Sequence, residues 1–184
     1  SDTVTLNGAS SVTGDVSLGI DGDTTNGNTD SLSLDASSIT GNVTTGSGAD
    51  AVNVLTTSTI TGNVTLGSNS DTADGADSLT VTGASSSSKS VVTGSITTGG
   101  AADSVSLTNA TIGGAGQTFS LGSDNNSNDG GDSLTASGTE ITATLTTGSG
   151  SDTVTLSDSS SLIGDVTLGT AGDTTNGNTD RLSL

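Results

Sequence analysis

The pattern xDxUxU, with U an apolar residue, occurs eight times along the chain: SDTVTL at 1, TDSLSL at 29, ADAVNV at 49, ADSLTV at 76, ADSVSL at 102, GDSLTA at 131, SDTVTL at 151 and TDRLSL at 179. Its aspartates fall at 2, 30, 50, 77, 103, 132, 152 and 180, at spacings of 28, 20, 27, 26, 29, 20 and 28. A recurring unit of this length marks a repeat architecture, in which one unit cannot bury a core alone and stacked units can.

Each full row carries a second apolar series: Val12, Ile39, Ile60, Val92, Ile112, Ile141 and Leu162. Four residues on come Val16, Val43, Val64, Ile96, Leu145 and Val166. Row five departs from this step and reaches Phe119 only after the insertion GGAGQ. Within every segment apolar and polar residues alternate with period two, the mark of strands with one buried face, and no segment has a 3.6-residue period. The expectation is an all-β fold without helix: a parallel β-solenoid over residues 1–184, with about seven and a half coils of 20–29 residues and three short strands per coil. Val4, Leu6, Leu32, Leu34, Val52, Val54, Leu79, Val81, Val105 and Leu107 should line one inner wall. Gly14, Gly41, Gly62 and Gly94, with Gly19, Gly46, Gly67 and Gly99, should occupy corners that need positive φ.

The rows alternate. Odd rows close with Leu18, Leu66, Leu121 or Leu168 and a long polar loop; even rows place Thr45, Thr98 or Thr147 there and turn through GSG or GGA. Paired coils span 48, 53 and 49 residues, which add to the 150-residue offset between the two copies of SDTVTL. Residues 1–150 thus read as one super-repeat and 151–184 as the start of the next. GDTTNGNTDSLSL at 22–34 returns as GDTTNGNTDRLSL at 172–184. On this reading the chain is a window on a longer array, continued covalently or by head-to-tail stacking of copies, and not a free 184-residue monomer.

The long loops carry carboxylate and amide oxygens at close intervals with glycine between them, the donor type that Ca²⁺ takes in sixes to eights. Candidate ligands are Asp21, Asp23, Asn26, Asn28 and Asp30 in the first loop and Asp71, Asp74 and Asp77 in the second. The third offers Asp124, Asn126, Asn128, Asp129 and Asp132, and the fourth Asp173, Asn176, Asn178 and Asp180. The alternative is an ordinary solvated turn, for which Asn, Asp and Gly are equally the usual residues. The aspartates of the eight rows would stack about 4.8 Å apart. They are held either by hydrogen bonds from turn amides or by cations between them.

Charge sharpens the second alternative. With 20 acidic and 2 basic residues the chain carries −18. Spread over a rod roughly 36 Å long, that is roughly one charge per 2 Å, close to the ~1.7 Å of duplex DNA. Such a rod gathers counterions, so divalent cations are expected partners. The same charge, with Phe119 the one aromatic residue, argues against nucleic acid as a partner. No apolar run of about 18 residues offers a membrane span. Without His or Cys, and with aspartates recurring in every coil rather than gathered at one place, the chain is not expected to be an enzyme.

The segments GSGSDTVTLSDSSSLIGDVTLG (148–169) and TDSLSLDASSITGNVTTGSGADAVNV (29–54) resemble β-helical passenger regions of bacterial autotransporter-type adhesins and giant surface proteins. A weaker likeness, to the GGxGxDxUx calcium-binding repeats of RTX proteins, rests on GSGSDTVT (148–155) and GSGADAVN (46–53). Here Thr147 and Thr45 replace the first glycine, and one turn occurs per 20–29 residues instead of every nine. The first resemblance implies an extracellular or cell-surface bacterial fibre, adhesin or biofilm-matrix protein. The leading expectation is a structural filament forming a stiff, acidic, cation-binding rod. The alternative is an adhesin stalk or a solenoid module presenting an ice- or glycan-binding face. Against the latter, the outward pairs Ser31/Ser33, Ala51/Asn53, Ser78/Thr80 and Ser104/Ser106 form no regular array.

Overall fold

The computed structural model describes residues 1–19, 28–67, 74–122, 129–169 and 179–184. The first strands of successive rows are Thr3–Asn7, Ser31–Asp35, Ala51–Leu55, Ser78–Thr82, Ser104–Thr108, Ser133–Ser137, Thr153–Ser157 and Arg181–Ser183. They form one eight-stranded parallel sheet in strict chain order. Every row advances by one strand and none is skipped, so the chain winds as a parallel β-solenoid. No helix occurs among the described residues.

Register follows the sequence pattern residue for residue. Leu32 is level with Val4 and Val52, Leu79 with Val52 and Val105, and Leu134 with Val105 and Val154. Because side chains alternate faces, this register delivers one apolar column to the interior. Leu32, Leu34, Val52, Val54, Leu79 and Val81 are fully buried, while Val4 and Leu6 in the first coil are half-buried and pack against the same core.

The second sheet has two arms. One runs through Ser11–Thr13, Ser38–Thr40, Thr59–Ile60 and Ser90–Val92; the other runs through Val16–Ser17, Val43–Thr44, Val64–Thr65 and Ile96–Thr97. The arms are joined by two long strands, Ala110–Ser120 and Glu140–Thr146. Three strands per coil therefore holds for rows one to four and row seven, and becomes two in rows five and six. The sequence explains both exceptions. Row five spans the corner with its insertion, shifting register between Gly113 and Thr118 and bringing Phe119 level with Ile96 and Leu145. Row six has Ala143 where other rows have the corner glycine, so its strand runs straight through.

The expected role of the glycines needs correction. Gly14, Gly41, Gly46 and Gly99 do adopt positive φ, but Gly19, Gly62, Gly67 and Gly94 do not. The reason glycine stands at Gly62 and Gly94 is close approach of stacked coils: a Cβ there would run into the carbonyl oxygen of Gly41 and of Gly62, respectively.

Candidate cation-binding column

The aspartate of each row sits immediately before the first strand, at the corner where the chain enters the eight-stranded sheet. Its backbone carbonyl takes part in the coil-to-coil ladder: the amides of Ala51, Ser78, Ser104 and Ser133 donate to the carbonyls of Asp30, Asp50, Asp77 and Asp103 at 2.8–2.9 Å. Its side chain adds a second ladder. The amide of Asp30 donates to Oδ1 of Asp50 at 2.7 Å, and Asp50 to Asp77 at 2.7 Å. Asp77 donates to Asp103 at 2.8 Å, Asp103 to Asp132 at 2.8 Å, Asp132 to Asp152 at 2.9 Å and Asp152 to Asp180 at 3.1 Å. The amide of Asp2 reaches Asp30 in the same way. The carboxylates thus bind the amide of the equivalent aspartate one coil back, not amides of their own turn.

This arrangement uses one oxygen of each carboxylate. Oδ2 of Asp50, Asp77, Asp103 and Asp132 is buried without a hydrogen-bond partner, and each of these residues is only 2% exposed. Burial pushes the Asp77 carboxyl up to about 9, with the neighbouring Asp103, Asp74 and Asp50 adding to the effect. It pushes Asp132 to about 9, aided by Asp103, Asp129 and Asp152, and Asp103 to about 7. Asp50 is also raised, again chiefly by burial. The amide bonds oppose these shifts but do not overcome them. A buried ionised carboxylate with an idle oxygen costs several kcal/mol, and the chain's two basic side chains, Lys89 and Arg181, cannot neutralise eight aspartates. Chemically, the column can hold protons or hard cations.

The alternation of Leu and Thr before this corner has a local cause. The buried Thr45 and Thr98 hydroxyls donate to the Leu66 and Leu121 carbonyls at 2.8 and 2.6 Å. Each hydroxyl has one proton for two acceptors, because it also stands beside Asp50 or Asp103 and lowers that carboxyl's proton affinity.

Of the proposed loop ligands, Asp21, Asp23, Asn26, Asp71, Asp124, Asn126, Asn128, Asp173, Asn176 and Asn178 lie outside the described residues. Asn28 is exposed, with its carbonyl against Gly48. Asp30, Asp77 and Asp132 are buried members of the column, and Asp180 is its exposed last member. Asp74 is 5% exposed and Asp129 half-buried, each beside the column. Among the described residues no three acidic side chains already converge as a metal-ligand group.

Two further ladders were not anticipated as such. After the second strand, Asp15 Oδ1 accepts the Asn42 amide at 2.7 Å, Asn42 Oδ1 the Asn63 amide at 2.9 Å, and Asn63 Oδ1 the Ser95 amide at 2.9 Å. After the first strand, hydroxyls of Ser58, Thr139 and Ser160 accept the amides of Ser37, Ala110 and Thr139 at 3.1–3.2 Å. The polar residue that follows each corner glycine (Asp15, Asn42, Asn63, Ser95) was the available signal for the first of these. Comparison with known proteins adds no relative: no family model, no curated protein and no solved structure matches the chain.

Proposed function

We propose that this chain is a structural element of an extracellular bacterial surface fibre: a stiff, acidic rod that takes up divalent cations, Ca²⁺ foremost, along its aspartate column. The observation that carries this reading is the uninterrupted column itself. The same side-chain ladder runs from coil to coil through every described row, so the polar chemistry is distributed along the length instead of gathered at one reactive centre. A catalytic site would need a constellation set apart from its repeats. Here each coil repeats its neighbour's arrangement. The parallel stack leaves strand edges facing along its axis, which suits addition of further coils or of a second copy head to tail.

Two measurements test the reading. Electron microscopy of the native material should show thin unbranched filaments. Their mass should lie far above 17.4 kDa, under denaturing conditions if the coils continue covalently and only under native conditions if copies stack. Thermal unfolding in CaCl₂ should have a midpoint well above that in NaCl of equal ionic strength, since a ligand bound only by the folded state stabilises it by mass action. Discrete particles of one chain from the native source would overturn the fibre. Equal midpoints in both salts would reduce the cation role to screening.

A further inference from the structure

Two of the long loops end in the same four-residue form, DGAD at 74–77 and DGGD at 129–132, while the loops entering Asp30 and Asp180 have Gly27 and Gly177 three residues before the column. In the two D-G-x-D loops the extra aspartate turns inward against the corner. The Asp74 carboxylate occupies the space where a Cβ of Gly67 or Gly99 would lie, and its Oδ2 accepts the Gly100 amide at 3.0 Å. The Asp129 carboxylate occupies the corresponding space over Gly122, and its Oδ2 accepts the Ser149 amide at 2.7 Å. Glycine at these corners is therefore a cradle for a carboxylate: Asp74 and Asp129 fill it two coils apart, and over Gly169 the column member Asp180 itself takes the corresponding space.

Each cradle adds a negative group beside the column. Asp74 acts electrostatically on both Asp77 and Asp103, and Asp129 joins Asp152 in acting on Asp132. Adding a carboxylate beside a buried carboxylate column does not serve stability, because like charges repel and desolvation adds to the cost. Independently of the clustering, Asp77 Oδ2, Asp103 Oδ2 and Asp132 Oδ2 are buried and make no hydrogen bond, on side chains 98% removed from solvent. Those oxygens are idle hard donors of the kind Ca²⁺ prefers.

We propose that the two D-G-x-D corners are discrete sites for a hard divalent cation, one held by Asp74, Asp77 and Asp103 and the other by Asp129, Asp132 and Asp152. This rests on the cation-collecting reading above and makes it specific: two saturable sites at defined corners, not uniform uptake along the rod. The carboxylates close on the ion by side-chain rotation, with Oδ1 of the column members remaining on the amide ladder. Backbone carbonyls and water complete a shell of six to eight oxygens. With Gly27 and Gly177 in place of the inner aspartate, the corners at Asp30 and Asp180 are expected to hold an ion less tightly.

Calorimetric titration of the 184-residue chain with CaCl₂, at fixed NaCl, tests this. Two saturable equivalents per chain are expected. Asp74→Asn and Asp129→Asn, which keep an acceptor for the Gly100 and Ser149 amides, should each remove one equivalent; the exposed Asp35→Asn should remove none. Should a variant fail to fold, hydrogen exchange on the unaltered chain gives the same answer. Ca²⁺ should slow exchange at 74–77, 99–103, 129–132 and 148–152 more than at 28–30 and 46–50. Unsaturable uptake, two equivalents surviving both variants, or uniform protection of all corners would each overturn the two-site proposal. Filaments and a calcium-specific rise in midpoint that persisted in that case would leave the rod standing; their absence would sink the rod itself.

Discussion

At the corner after the second strand, Asn42 and Asn63 tie neighbouring coils through neutral amides exposed to water. At the corner before the first strand, Asp50, Asp77, Asp103 and Asp132 make the same amide-to-side-chain bond with buried carboxylates. If an acceptor for one N–H were all that the second corner required, asparagine would serve there without charge. Electrostatics alone would put the carboxylates at the wet corner and the amides at the dry one. In the coils of Asn42 and Asn63 the molecule does the reverse, although Asp15 holds the wet corner of the first coil. What distinguishes Asp from Asn at these positions is a second anionic oxygen, and that oxygen is the one left without a partner. On the proposed reading, the amide ladder serves only to hold coils together, and the carboxylate ladder holds coils and offers an oxygen to a cation.

The harshest way to break this comparison is to remove the stacking on which both ladders depend. Leu34→Asp places an unpaired charge in the fully buried column and should cost several kcal/mol, enough to abolish the cooperative transition in urea denaturation. Ser33→Asp, one residue away on the outer face, should change stability by no more than about 0.5 kcal/mol. Similar damage from both would place the inward face one residue out of register.

Next in size is the response to pH in a chelating buffer. Asp77 and Asp132 are raised to about 9 and Asp103 to about 7, so between an unfolded carboxyl's ordinary ~4 and these values the folded chain binds more protons than the unfolded one. Stability should then be greatest near pH 4 and fall as pH rises toward about 9, the opposite of the usual salt-bridged aspartate. Thermal midpoints across that range check the sign; a midpoint rising with pH would show the column ionised at no cost. Calcium should flatten the slope by supplying the charge that protons otherwise provide.

A smaller effect sharpens the contrast directly. Asp132→Asn keeps the acceptor for the Asp103 amide and removes a carboxyl that must take up a proton on folding, so in chelator at pH 8 it should raise the midpoint, whereas in Ca²⁺ it should lower it. Loss of stability in both buffers would mean the carboxylate is needed only for the fold. Smallest of all is Asn63→Asp at the wet corner, within about 0.5 kcal/mol at neutral pH by urea denaturation. A large penalty there would erase the distinction between the corners.

Much of the architecture was legible from the rows. Period-two alternation identified Leu32, Leu34, Val52, Val54, Leu79 and Val81 as inward, because a strand leaves only two faces to choose between. The fused strand of row six was legible too, in Ala143, but its weight appears only once the other corners are seen to turn at glycine. Glycine itself is ambiguous in sequence: Gly14 meets a demand on φ, while Gly62 and Gly94 meet a demand for space made by a coil 20 or more residues away. The aspartates were conspicuous by recurrence, yet their partners were not. An aspartate in a turn ordinarily bonds its own local amides, and only the stack reveals that Asp77 reaches the amide of Asp50. Likewise the inward turn of Asp74 and Asp129 depends on which glycines lie beneath them, and no local pattern distinguishes that from an exposed loop acid.

The carboxylate ladder also has an arrow. Each aspartate reaches back to the coil before it and never forward, from Asp30 to Asp2 through Asp180 to Asp152. A transverse break across this column therefore leaves two unlike surfaces, one with the column amide bare and the other with its carboxylate bare, while the forward-reaching Asn42 and Asn63 ladder is exposed in the opposite sense. Like surfaces repel or mismatch, while unlike ones restore the bonds that were lost. Such a rod is vectorial: its pieces rejoin in one orientation only, and a growing end can be distinguished from its opposite by chemistry alone.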